Sequence, residues 1–292
     1  MRPARLGPAP QPPAVVLVAH GSRDPRAAAS TAALARAVGR AHPTWDVRAS
    51  YLDHAGPRPL DVLAALPGRR AVLVPLLLTA AYHGKVDVPA ILDDAATLPV
   101  EVTPADVLGP STSASAVAPA LIDGLVRRLP AGDLDAVVLA AAGTRVAAAR
   151  ETIMRAADAL SARLSVPCVA AYASASPPDP GDAVRRLRAS GASRVGMAAY
   201  FLAPGFLYDV AVRSAQAAGA VQVAEPLGDA PELVRLVASR VLAATGRSLP
   251  APPDPLPVTA GHTCCLPLGV HKQGFGNAPS PTVVCPARSA ED

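Results

Sequence analysis

The segment Val15-Val-Leu-Val-Ala-His-Gly-Ser-Arg23 decides the fold of this chain, because it occurs twice. Its second occurrence is Val137-Val-Leu-Ala-Ala-Ala-Gly-Thr-Arg145. In each, a continuous apolar run stops at a small-residue turn, the pattern of a parallel strand buried on both faces. Working outward, Tyr51-Leu-Asp-His-Ala-Gly-Pro57 matches Tyr172-Ala-Ser-Ala-Ser-Pro-Pro178. The apolar strand at Val72 matches the one at Val195, and Val100-Glu-Val102 matches Val221-Gln-Val223. The offset stays at about 120 residues over four segments in the same order, so the chain carries an internal duplication.

Within the first copy, the pattern predicts a strand at Ala14–Ala19 and a helix over Arg26–His42. A second strand ends near Tyr51-Leu52-Asp53, and a short helix covers Leu60–Leu66. A third strand at Ala71–Leu78, a helix over Val86–Leu98 and a short strand at Val100–Val102 follow. A helix over Ser113–Leu129 closes the unit. Regular alternation of strand and helix predicts an α/β protein of two similar flavodoxin-like domains. Each is a four-stranded parallel sheet flanked by helices, with strand order 2-1-3-4. The expected domains are 14–130 and 131–247, a boundary falling near Pro130-Ala-Gly132. Residues 1–13 read as a disordered N-terminus and 248–292 as a Pro-rich disordered tail.

Composition narrows the function. A length of 292 residues suits two ordinary domains. Aromatics are only 3%, so the core must rest on Ala, Val and Leu. The formal charge of +4 comes without a Lys/Arg run, which gives no reason to expect nucleic acid as a partner. No stretch approaches the roughly 20 apolar residues of a membrane helix. The Pro-rich start lacks an apolar core of signal-peptide length, so the expectation is a cytoplasmic protein with no membrane partner. It is read as a monomer. Four Cys, three of them in the tail, do not make a disulfide framework.

The chemistry emerges from what the two copies do not share. His20 stands opposite Ala142, Asp53 opposite Ser174, and His83 opposite Phe206 within one residue. In open α/β sheets, ligands bind at the carboxyl ends of strands near the point where strand order reverses. With strands one and three side by side, His20 and His83 face one another there and Asp53 flanks them. Two imidazoles and a carboxylate suit a divalent first-row metal. A neutral imidazole also accepts a proton near pH 7. A lone His at a strand end serves equally well to tie down a loop; the joint occurrence of three candidates carries the metal reading. His54 and Asp87 are weaker neighbours, and a helix-dipole contact accounts for His42. Gly21 and Gly143 occur in both copies and read as tight turns. Ser22, Arg23 and Arg145 are placed to meet an anion at a helix start. Lys85 and Arg58 lie in the same loops, where pairing with substrate carboxylates competes with plain solvation. In the tail, His262, Cys264, Cys265, His271 and Cys285 lack the usual chelate spacing, so no metal or iron–sulfur site is expected there.

Leu17-Val-Ala-His-Gly-Ser-Arg-Asp24 and Tyr82-His-Gly-Lys-Val-Asp-Val-Pro89 resemble the sirohydrochlorin chelatases, the cobalt- or iron-inserting enzymes of the class II chelatase group. The resemblance covers about residues 14–245 as two repeats. It implies insertion of Fe²⁺ or Co²⁺ into sirohydrochlorin, toward siroheme or cobalamin, with His20 and His83 as metal and catalytic residues and Asp53 as their acidic partner. It implies no cofactor beyond the substrate metal, and partners limited to the tetrapyrrole and the ion. Relatives often carry Glu where Asp53 stands, and the second copy lacks both His, so that copy is expected to wall the cleft. Two other readings stand beside this one. A histidine phosphotransfer enzyme would use His20, although Ala19 occupies the place where such sites carry Arg. A non-catalytic tetrapyrrole- or metal-binding protein would also suit two similar lobes.

Overall fold

The computed structural model describes residues 12–66, 68–79, 87–110 and 116–246. In the first half, strands β1 (Ala14–Ala19), β2 (Asp46–Tyr51), β3 (Arg70–Pro75) and β4 (Glu101–Pro104) alternate with helices α1 (Pro25–Ala41), α2 (Pro59–Ala64), α3 (Asp87–Ala95) and α4 (Pro119–Arg128). In the second half, β5 (Ala136–Ala141), β6 (Cys168–Tyr172), β7 (Val195–Tyr200) and β8 (Gln222–Val223) alternate with α5 (Ala147–Leu164), α6 (Pro180–Ala189), α7 (Phe206–Ala217) and α8 (Pro231–Ala244). The two sheets have orders β2-β1-β3-β4 and β6-β5-β7-β8, parallel throughout. The expected fold class and strand order are therefore observed. None of the described helices is long and apolar enough to cross a membrane.

The central strands explain the sheets. Every residue of β1 and β5 is buried, as continuous apolar runs covered on both faces must be. Alternate residues divide between two cores, because strand side chains have period two. Val16 packs with Leu63 and Leu73 in a core private to the first half, and Val138 packs with Val184 and Met197 in one private to the second. Val15 and Leu17 instead join Val137 and Leu139 in one shared cluster with Leu121, Leu125, Leu233 and Val237. Each such fully buried Leu or Val contributes about 1.5–3 kcal/mol, so the shared face ties the halves firmly. The edge strand β2 is blunted differently: Asp46 accepts from Arg48 at 2.9 Å and from Arg69 at 2.6 Å.

The last helix of each half depends on the other. Helix α4 packs against α5 and β7 as well as α8, while α8 packs against α1 and β3. Arg128 of α4 donates to the Leu227 carbonyl at 2.9 Å, and Arg240 of α8 donates to the Val107 carbonyl at 2.9 Å. The helix expected over Ser113–Leu129 is thus corrected in two ways. It begins at Pro119, whose fixed φ and missing N–H suit a first helical position, and it covers the neighbouring sheet instead of closing its own. The strand expected to reach Leu78 ends at Pro75, and the helix expected to reach Leu98 ends at Ala95.

Cys168 opens β6 half-buried, and desolvation pushes its pKa up to about 12. At pH 8 roughly one such thiol in ten thousand is then a thiolate, the reactive form. Cys168 should resist iodoacetamide in the native protein and react after denaturation, read by peptide mass spectrometry. Equal rates in both states would contradict the raised pKa.

Candidate metal centre

The ladder between β1 and β2 runs on past the strands. The Leu52 N–H donates to the Ala19 carbonyl at 2.9 Å, and the Asp53 N–H donates to the His20 carbonyl at 2.9 Å. His20 and Asp53 are thereby held on adjacent chains at the carboxyl edge of the first sheet. Gly21 makes this approach possible. Its φ is +89°, and a Cβ there would lie 1.8 Å from the Asp53 carbonyl oxygen, so only glycine fits.

Asp53 is exposed and strongly anionic. The His54 backbone N–H donates to its Oδ1 at 2.8 Å, and His54 Nε2 stands 3.4 Å from Oδ2. Arg58 stands 3.9 Å from Oδ1 and also donates to the Leu52 carbonyl. The His54 N–H, with the nearby charges of His54, Arg58 and His20, holds the Asp53 carboxyl below its ordinary value against a smaller effect of desolvation. At neutral pH Asp53 is an anion and a poor proton acceptor. His54 is held at φ +59°, in the left-handed region.

His20 opens onto a cavity of about 140 Å³. Ala27, Thr31, Tyr51 and Leu76 supply the first-half wall, and Leu202 and Ala203 reach in from the second half. Several contacts hold the halves together at this mouth. Arg26 bridges Asp24 and Asp209, each at 2.6 Å. Ser30 donates to the Leu202 carbonyl at 3.4 Å. The buried phenol of Tyr200, its pKa raised by desolvation, donates to the Leu78 carbonyl at 3.0 Å, where the chain leaves β3 for residue 83.

The remaining candidates fall unevenly. Ser22 accepts from the Asp24 N–H at 3.1 Å, and Arg23 is exposed. At the start of α1 the Asp24 carboxylate accepts from the Arg26 N–H at 2.9 Å, which places a carboxylate at the helix end. His42 caps α1 and stacks on Trp45 at 4.1 Å, a structural role. Asp87 opens α3. His83 and Lys85 lie outside the described residues, as do His262, Cys264, Cys265, His271 and Cys285. Among the described residues no group of three or more His, Cys, Asp or Glu is placed to hold a metal ion; of the three candidates, His20 and Asp53 are the two described.

The family model for CbiX matches this sequence twice, over residues 14–123 and 136–244. The chain belongs to the CbiX family. SirB from Bacillus subtilis with Fe³⁺ has 21% identity over 78% of this chain and 93% of its own, with a TM-score of 0.66. The sirohydrochlorin chelatase SirB from Bacillus subtilis subspecies spizizenii in complex with cobalt has 21% identity over 80% of this chain and 95% of its own, with a TM-score of 0.64. DR2241 from Deinococcus radiodurans, which carries two additional domains, has 21% identity over 82% of this chain and 56% of its own, with a TM-score of 0.63. At these identities the solved structures speak for the fold. No match was found among curated protein sequences.

Both CbiX repeats build the same turn, and only the first has His and Asp on it. Tyr51 and Tyr172 each donate their N–H to a proline carbonyl, of Pro57 and Pro178. Gly143 has φ +100°, and a Cβ there would lie 2.0 Å from the Ser174 carbonyl oxygen. Where the first repeat has His20 and Asp53, the second has Ala142 and Ser174, and the Ser174 hydroxyl donates to the Ala142 carbonyl at 2.8 Å. Phe206, set against His83, begins α7. The Arg26–Asp209 and Tyr200–Leu78 contacts were not foreseen, since nothing local in sequence pairs residues so far apart.

Proposed function

We infer that this CbiX-family protein is a metal chelatase that inserts Fe²⁺ or Co²⁺ into sirohydrochlorin, with the ion entering as a substrate. The observation that carries the reading is the position of His20. It stands beside anionic Asp53 at the carboxyl edge of the first sheet and opens onto a cavity walled by both repeats. Insertion requires a weakly caged ion and the loss of two pyrrole protons. In this reading Asp53 attracts the cation, while the His20 imidazole takes a proton that the Asp53 carboxylate cannot hold at neutral pH. His83 completes the set from the loop that follows β3, with Ser22, Arg23 and Lys85 assigned to substrate carboxylates. The protein is proposed to act as a monomer, since each chain contributes both walls of the cleft.

Imidazole with carboxylate accepts both metals, and which one is inserted follows ligand type and metal availability. The test is a side-by-side assay of the purified protein with sirohydrochlorin and either Fe²⁺ or Co²⁺ under anaerobic conditions, followed by absorbance. Both ions should be inserted faster than in the protein-free mixtures. Acceleration with neither ion would overturn the reading.

A further inference from the structure

Phe206 is 73% exposed, the highest value among the exposed large hydrophobic side chains described. Phe201, the other phenylalanine described, packs edge-on against Tyr208 at 5.7 Å, so exposure is particular to position 206. Its location gives this meaning. The segment from Leu202 to Asp209 runs along the His20 turn: Leu202 and Ala203 line the cavity of His20, and a Cβ on Gly205 would stand 4.0 Å from Ser22 Oγ. Asp209 reaches Arg26 at 2.6 Å. Residues three apart on a helix lie on the same side, so Phe206, the first residue of α7, shares the side of the helix from which Asp209 reaches Arg26. An aromatic ring in this place offers a flat apolar surface to any conjugated ligand that enters beside the His20 turn.

We propose that Phe206 is a substrate-binding residue of the second repeat, the apolar wall on which one face of the tetrapyrrole macrocycle packs. The inference rests on the chelatase reading and adds to it a role for the repeat that lacks metal-binding groups. A tetrapyrrole has flat conjugated faces and a rim of carboxylates. Insertion needs one face turned to the imidazole and the ion, and the other held against an apolar surface. The first repeat provides the polar wall with His20 and Asp53. The second repeat carries Phe206 within one residue of the place where the first carries His83, so in this reading a packing group stands where the first repeat offers an imidazole.

The test uses the full chain and metal-free sirohydrochlorin, titrated by fluorescence, together with steady-state Co²⁺ insertion. Phe206→Ala should raise both the Kd for the tetrapyrrole and its KM about tenfold, the size expected for a lost aromatic stacking contact, while kcat stays within about twofold. Phe206→Trp should keep Kd within about twofold of the wild type, and Phe206→Gln should behave like Phe206→Ala. An unchanged Kd in Phe206→Ala, or a fall in kcat with KM unchanged, overturns the proposal while leaving the chelatase reading intact if the wild type still inserts metal. A wild type that neither binds nor metallates sirohydrochlorin overturns both.

Discussion

His20→Ala is expected to lower metal insertion into sirohydrochlorin by about a hundredfold or more, the range in which loss of a positioned proton acceptor falls, and the loss of a metal contact adds to it. The fold should survive. His20 is exposed beyond the end of β1, and the contacts that set its turn are made by the backbone of Ala19, His20 and Asp53. The variant should therefore keep the melting temperature of the wild type within a few degrees and still bind the metal-free tetrapyrrole. Asp53→Asn should lose less, since it removes an anion near the ion and leaves the imidazole in place. Insertion at the wild-type rate by His20→Ala would remove the first repeat's claim to the chemistry.

Gly21→Ala is expected to have the second large effect, through the backbone. The added methyl would sit 1.8 Å from the Asp53 carbonyl oxygen, and φ +89° is strained for any L side chain. Left-handed strain costs about 1–3 kcal/mol and the enforced clash a similar amount, so a loss of about 2–5 kcal/mol is expected. The melting temperature should fall by roughly 5–15 °C. Gly143→Ala meets the Ser174 carbonyl at 2.0 Å in the equivalent turn and should destabilise comparably. The two variants should part in activity. At a temperature where both are folded, Gly21→Ala pries His20 from Asp53 and loses insertion, whereas Gly143→Ala disturbs a turn without metal-binding groups. An unchanged melting temperature in both would contradict the close approach seen at these turns.

Much of this architecture was legible in the sequence because it depends on local pattern. Fully buried central strands require continuous apolar runs, and Val15–Ala19 and Val137–Ala141 have them. A glycine after each run announces the turn. Given the order 2-1-3-4, the ends of β1 and β2 must be neighbours, so the strand order alone brings His20 and Asp53 together. The partner of the last helix in each half was not legible. Leu121, Ile122 and Leu125 tell that α4 has an apolar face, but apolar contact is non-directional and does not say which sheet that face meets. Arg128 and Arg240 anchor to backbone carbonyls, which any residue can supply, so their targets leave no sequence signal. The start of α4 is not legible because the apolar residues before Pro119 continue the helical pattern that the proline interrupts.

The shared core also gives the second repeat its meaning. Val15 and Leu17 pack in the same cluster as Val137 and Leu139, so the repeat without the histidine is part of the body that positions it. It has Ala142 and Ser174 in the places of His20 and Asp53, and the proposed reading gives it the role of a wall.

The most direct test of the central claim is the number of metallated tetrapyrroles formed per protein molecule. With sirohydrochlorin and Co²⁺ in large excess over the protein, a chelatase turns over, and the yield of product above the protein-free control should exceed the amount of protein many times. A yield that stops at or below one per protein molecule would contradict the account and make this chain a carrier.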